Sequence, residues 1–220
     1  MHKKKSRGVN PFLIIGTVLL IAALSLYIYN YLESQHAGAE ADSVLTDVQS
    51  QISALIAQNG DADDSEDDTE DTDSALATPV PDMQTLTIDG NEYIGYISIP
   101  TQKIELPVMS DWDYDKLNIA PCRQYGSYYT DDLVIAAHNF DTHFGKLKNM
   151  SKGDRVDFTD ATGKVHHYEV VRIETIQPDN VDAVQNSGND LVLYTCTKGG
   201  ATRVTVFCDR VQTKSNTAKK

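Results

Sequence analysis

From Phe12 to Ile28 the chain is apolar almost without interruption, and the pattern runs on through Tyr29 and Tyr31 to Leu32. A helix of about 20 apolar residues is long enough to cross a bilayer, so residues 11–32 are read as a transmembrane anchor. Beyond it, Leu45, Val48, Ile52 and Leu55 recur at alternating spacings of three and four, the stripe of an amphipathic helix. Residues 33–60 are therefore read as a short helical stalk. From Gln84 onward the period changes. Short β-branched and aromatic runs at 93–99, 104–108, 133–137, 155–159, 167–173, 191–195 and 203–208 are separated by turn signals such as Asp89-Gly90, Lys152-Gly153-Asp154 and Thr162-Gly163. Residues 112–119 and 144–150 read as short helices. Many short strands with few helices predict a mainly β domain over residues 84–212, a sandwich or a barrel. About 130 residues bury a sufficient core without disulfide staples.

Charge sharpens this division. The net charge is −13, but residues 61–73 hold nine carboxylates and no base, so most of the imbalance is one local run. Such a block repels itself and cannot bury apolar surface, which makes residues 61–83 a disordered linker. Basic residues cluster only at Lys3, Lys4, Lys5 and Arg7, directly before the apolar span. That placement excludes a nucleic-acid surface. It puts the tail, residues 1–10, in the cytoplasm and the β domain outside the cell, because Lys and Arg stay on the cytoplasmic side. Tyr27, Tyr29 and Tyr31 suit the outer interface. The competing reading is a cleaved signal peptide with Ala37-Gly38-Ala39 as the small-residue site. The apolar core is longer than such a peptide carries, which favours an anchor. Residues 213–220 form a polar tail.

The three cysteines, Cys122, Cys196 and Cys208, then lie in an exocytoplasmic domain, and an odd number leaves at least one thiol unpaired. Neither a CxxC pair nor zinc-ligand spacing is present. Cys196 ends the run Leu191-Val192-Leu193-Tyr194-Thr195-Cys196, a flexible segment follows, and Arg203 opens the next run. A nearby cation favours the thiolate, the nucleophilic form. Cys208 shares a strand face with Val204 and Val206 and reads as a buried, inert thiol. Cys122 falls in a loop-like stretch after Pro121. Among the histidines, His138 closes the apolar run 133–137 with small alanines beside it. His166 and His167 read as surface residues of a polar-leading strand. His143 is near His138 in sequence, but no ligand cluster accompanies the pair. Arg203 suits the stabilisation of an oxyanion; Arg210, nearer the tail, is its rival.

At these residues the chain resembles the sortases, membrane-anchored cysteine transpeptidases of Gram-positive bacteria. Ile97-Ser98-Ile99-Pro100 followed by Ile104-Glu105-Leu106-Pro107-Val108 resembles the family's opening strands. Ala136-Ala137-His138-Asn139 is similar to its histidine motif, Leu193-Tyr194-Thr195-Cys196 to its T-L-x-T-C signature, and Arg203-Val204-Thr205-Val206 to its arginine-led last strand. The resemblance implies a closed eight-stranded β-barrel with short helices. It implies catalysis by Cys196, His138 and Arg203, with Thr195 and Asn139 as supports, and cleavage of a surface protein's C-terminal sorting signal through a thioester. Transfer would be to an amine of a peptidoglycan precursor or a pilin. Residues 176–190 would line the signal's pocket. No cofactor is implied; some members bind calcium near this loop, and Asp179, Asp182 and Asp190 are the residues that could serve here. Two other surface cysteine chemistries fit less well. An L,D-transpeptidase lacks its Ser-His-Gly-Cys motif here, and a caspase-like protease lacks Gln-Ala-Cys. A tethered, non-enzymatic β domain acting as an adhesin or receptor is the remaining alternative, and it gives no reason for His138, Cys196 and Arg203 to converge.

Overall fold

The structure, a computed structural model, describes residues 11–59 and 82–211; the tail 1–10, the acidic run of the linker and the polar tail 213–220 lie outside them. The chain divides into two units, residues 1–36 and 37–220.

In the first unit the described residues are all helix, the opening part of α1 (Pro11–Asn59). Residues 11–33 are exposed on every side, and the segment is long and apolar enough to cross a membrane. Two of its hydroxyls are internally satisfied: that of Thr17 donates to the Leu13 carbonyl and that of Ser25 to the Ile21 carbonyl. In hydrocarbon, where water offers no partner, a hydroxyl needs such a bond.

The second unit opens with the rest of α1. Leu45, Val48 and Ile52 of the amphipathic stripe are buried and Leu55 half-buried. Val48 and Ile52 pack with Val44 against Leu86, Ile88 and Tyr93 of the β domain. Residues 37–59 are thus a packed element of this unit, and the helix forms because its apolar face is covered. Ala37-Gly38-Ala39 lies inside it. A Cβ on Gly38 would come within 2.7 Å of the Thr142 side chain, so small residues here are a packing requirement.

The strands are β1 (Leu86–Ile88), β2 (Asn91–Ile99), β3 (Ile104–Met109), β4 (Cys122–Tyr125), β5 (Leu133–Ala137), β6 (Arg155–Asp160), β7 (Val165–Ile176), β8 (Leu191–Cys196) and β9 (Arg203–Arg210). Their order is β1-β2-β3-β4-β5-β8-β9-β7-β6, and β6 pairs back onto β2. Eight strands, β2 to β9, therefore close into a barrel, and β1 is an additional strand paired only with β2. Closure leaves those eight without a free edge. Short helices α2 (Tyr114–Leu117) and α3 (Asp182–Gln185) and a 3-10 turn (Phe144–Asn149) fill connections. The interior is apolar, with Ile97, Val108, Ile135, Phe158, Leu193 and Val206 all fully buried.

Two sequence expectations are corrected. Cys122 is not in a loop but opens β4, a short strand whose partners lie far along the chain in β3 and β5. His166 is not a surface residue: it is buried, its Nε2 donates to Asp160 Oδ2 at 2.8 Å, and Arg210 Nη1 donates to its Nδ1 at 2.8 Å. Alternation along β7 turns His166 inward, and the two partners satisfy it there; only His167 is exposed.

Val48→Asp should test the packed helix. An unpaired carboxylate buried between helix and barrel costs at least about 3 kcal/mol, so the melting temperature should fall by roughly 10 °C. An unchanged melting curve would mean that residues 37–59 contribute nothing to the fold.

Candidate active site

The site is built by backbone pairing. β5 and β8 are parallel, with Ala137 opposite Thr195, and β8 and β9 are antiparallel, with Thr195 opposite Val204 and Cys196 opposite Arg203. Parallel neighbours advance in step, so His138 leaves β5 at the level of Cys196. Adjacent strands lie about 4.8 Å apart and successive side chains alternate between faces. Thr195 and Val204 look toward the barrel interior, which places Cys196, Arg203 and the outgoing His138 together on the outer face at one end of three adjacent strands.

Local bonds fix that end. The Thr195 hydroxyl is buried and donates to the Ala137 carbonyl at 2.8 Å, clamping β8 to β5 beside His138 and Cys196. Asn139 Nδ2 donates to the Thr197 carbonyl at 3.3 Å, tying the segment after His138 to the one after Cys196. The chain turns sharply after His138, with the Phe144 N–H donating to the His138 carbonyl and the Gly145 N–H to the Phe140 carbonyl. A Cβ on Gly145 would meet the Asn139 carbonyl at 2.5 Å, so the turn admits only glycine there. His138 Nε2 lies 3.1 Å from Asn118 Oδ1, at the end of α2. Sequence reasoning missed Asn118, which carries no motif and reaches His138 only through the β3–β4 connection.

The thiols differ sharply. Cys196 is half-buried, while Cys122 and Cys208 are fully buried. Burial pushes the Cys122 thiol up to about 12 and raises that of Cys208 as well, so both stay protonated at neutral pH. The Cys122 thiol also donates to the Ala120 carbonyl at 3.4 Å. Arg203 Nη1 donates to the Gly200 and Thr202 carbonyls at 2.9 and 3.1 Å. Those bonds steady the guanidinium and leave its Nε and Nη2 donors unused among the described residues. Arg210, the rival, is consumed by structure: it donates to Asp131, to the Tyr128 carbonyl and to His166.

Two small cavities flank this end of the strands. One of about 120 Å³ is lined by Cys196, Asn139, Asp141, Lys148 and Lys198. The other, about 110 Å³, is lined by Arg203, Tyr194, Gln124, Ile176, Val181 and Val184. A larger cavity of about 820 Å³, bordered by Glu92, Asp111, Lys116 and Arg123, is lined by neither His138, Cys196 nor Arg203. Among the described residues no group of three or more His, Cys, Asp or Glu side chains is placed to hold a metal. Asp182 accepts from Asn186 Nδ2, and Asp190 accepts from the Arg210 backbone N–H.

Against this geometry, comparison with known proteins is decisive. Residues 97–211, more than half of the chain, match the family model of the sortase domain. The chain belongs to the sortase family. It is 27% identical over 142 residues to sortase A of Bacillus anthracis, covering 61% of this chain and 67% of that protein. Among solved structures it is similar to sortase C1 of Streptococcus agalactiae, at 27% identity and a TM-score of 0.50 over 57% of this chain and 71% of that one. Listeria monocytogenes sortase A shares the fold at 20% identity, with a TM-score of 0.50 over 55% of this chain and 88% of that one. Sortases are membrane-anchored cysteine transpeptidases of surface proteins, and the apolar opening of α1 is consistent with such an anchor.

His143 lies behind the sortase site and is fully buried. The Phe140 ring contacts both imidazoles, at 4.9 Å from His138 and 5.7 Å from His143. Burial lowers the His143 pKa to about 4, against a smaller opposing pull from the Ala37 carbonyl.

Two outcomes follow from these groups. N-ethylmaleimide should modify only Cys196 in the native protein, with Cys122 and Cys208 reacting after unfolding, as peptide mapping would show. Native labelling of either buried thiol would contradict the burial described. His143 is neutral when folded, whereas in the unfolded chain it protonates near 6.5. Its contribution to stability is therefore complete above pH 6.5 and is lost as pH falls toward 4, by about 3 kcal/mol in total. Denaturation midpoints measured from pH 7 to 4 should show a shallower fall for His143→Phe than for wild type; parallel curves would refute the assignment.

Proposed function

We propose that this sortase cleaves a Thr–Gly type bond in the C-terminal sorting signal of surface proteins, with Cys196 as nucleophile, and transfers the carboxyl fragment to an amine. The observation that supports this reading is the strand register that brings His138, Cys196 and Arg203 to one end of one sheet face. The Cys196 thiolate adds to the scissile carbonyl carbon. Arg203 donates to the oxygen as it gains charge, where a fixed donor acts most strongly. The C–N bond breaks, and His138 gives its proton to the departing amine. The acyl group is left as a thioester on Cys196. An acceptor amine then attacks the thioester carbonyl, yields a proton to His138, and the C–S bond breaks to return the thiolate.

Thr195 and Asn139 hold the two strand ends in place during both half-reactions. The segment 176–190 walls the groove that receives the signal. The acceptor is an amine of a peptidoglycan precursor or of a pilin subunit. The apolar span keeps the enzyme in the cell membrane with residues 1–10 inside and the catalytic unit outside, where both substrates are found.

Mass spectrometry of the protein incubated with a library of sorting-signal peptides should show one acyl adduct, on Cys196. Cys196→Ala should form none. An adduct on Cys122 or Cys208 would overturn the assignment. Arg203→Lys keeps the charge but loses the rigid fork of donors, so turnover should fall about 10²–10³-fold with little change in melting temperature. Arg210→Lys should do the opposite, lowering the melting temperature while peptide cleavage persists. Near-wild-type turnover for Arg203→Lys would remove it from the reaction.

A further inference from the structure

The outer face of β5, β8 and β9 carries successive rows of side chains, and only the end row enters the reaction above. One row in from Cys196 and Arg203 stand Ala136, Tyr194 and Thr205, paired in register across the three strands. The next row is Val134, Val192 and Phe207, over which Ile176 and Val184 close in an apolar cluster. Tyr194 therefore occupies the middle of the groove floor, between the thiol and the apolar end.

Its ring is fixed. It packs against the cluster containing Cys122 and Ala136 on one side and the cluster containing Val192 and Phe207 on the other. Its hydroxyl has a different status. It makes no hydrogen bond among the described residues, yet it is not sealed in, as the unpartnered Tyr128 and Tyr168 hydroxyls are. It borders the 110 Å³ cavity with Arg203 and the 176–184 segment. Burial raises the phenol to about 12, Arg203 pulls it the other way, and Cys196 and Tyr114 add to the rise. The group is thus a neutral donor at physiological pH, close enough to both reacting side chains to feel their charge. A rigid ring carrying one uncommitted O–H in a groove that must hold a peptide is a hydrogen-bond donor awaiting an acceptor.

The acceptor follows from spacing. One row along the sheet is two residues, about 6.6 Å, and an extended peptide advances at the same rate. A peptide lying parallel to β8, its upstream end toward the apolar cluster and its scissile carbonyl at Cys196, brings the carbonyl two residues upstream to the level of Tyr194. We propose that the Tyr194 hydroxyl donates a hydrogen bond to the backbone carbonyl about two residues upstream of the bond that is cleaved, and so holds the acyl donor in register. The inference rests on Cys196 being the nucleophile. Because the contact is to backbone, it operates whatever side chain the signal carries there, and it persists in the thioester, since that carbonyl stays on the acyl fragment.

The test uses the full-length protein in detergent and a fluorogenic peptide containing the Thr–Gly bond most reactive in the library experiment. Tyr194→Phe keeps the ring and removes the donor. KM should rise roughly five- to tenfold while kcat stays within about twofold, the signature of lost binding common to ground and transition states. The melting temperature and the rate of Cys196 alkylation by iodoacetamide should not change. A second peptide, with the carbonyl two residues upstream replaced by methylene, should lose a similar factor with wild type and nothing further with Tyr194→Phe. Unchanged KM for Tyr194→Phe, or additive losses in the two-by-two comparison, would overturn the proposal. So would a fall in kcat accompanied by slower alkylation, because Tyr194 would then be acting on the thiol. Failure of the wild type to form any acyl-enzyme would overturn the nucleophile assignment and this one with it, and it would be evident before any substitution is made.

Discussion

The in-register pairing of β5, β8 and β9 is the constraint on which the rest of the molecule depends. Side chains alternate with a period of two, so a slip of one residue would turn every inward side chain outward. In β8 that slip would bury Cys196 and expose Leu191 and Leu193, which are fully buried. Each large apolar side chain moved into water costs about 1.5–3 kcal/mol. The same slip in β5 or β9 would expose Ile135 or Val206. The hydrophobic core therefore holds the register, and the register holds the chemistry. Parallel pairing of β5 with β8 is equally necessary, because only parallel strands bring two C-terminal ends, one carrying His138 and the other Cys196, to the same place.

The two arginines of β9 show how hydrogen-bond accounting separates structure from chemistry. Arg210 sits half-buried at one end of the strand, its guanidinium donors taken by Asp131, the Tyr128 carbonyl and His166. The neighbouring Asp160 accepts from His166, from the Thr162 backbone and hydroxyl and from the Lys164 N–H. The charged and imidazole groups there are matched to one another, as the cost of burying an unmatched one demands. Arg203, at the other end, is steadied through a single nitrogen by its own loop. A guanidinium oriented yet largely unspent is what a developing oxyanion requires, and a fully spent one is of use only to the fold.

Residues 37–59 link the core to the reactive end in a different way. Ala41 joins the principal core cluster, Val48 and Ile52 seal a second, and the Gly38–Thr142 approach lies against the turn that follows His138. Residues 37–59 thus buttress the loop that begins at His138, and the buried His143 lies at the same place. Dry packing there favours one arrangement of the loop, because a protonated imidazole has no solvent to meet.

Much was legible without coordinates. Strand runs, the apolar span, the amphipathic stripe and the burial of Cys208 all follow from local periodicity, which is a property of consecutive residues. What consecutive residues cannot carry is the identity of distant partners. β1 and β4 are too short to announce themselves, and Cys122 belongs to a strand only because β3 and β5 pair with it. His166 looks like a surface residue until Asp160 and Arg210 are brought to either side of it. Asn118 reaches His138 through a connection that no motif marks. Tyr194, read along the chain, is simply the variable residue of a signature; its place beside Arg203, with its hydroxyl unpaired among the described residues, exists only once three strands are in register. The sequence determined which residues alternate and which carry thiol, imidazole or guanidinium groups. Tertiary structure alone decided which of them meet, because long-range backbone pairing sets those neighbours and is not encoded at any single position.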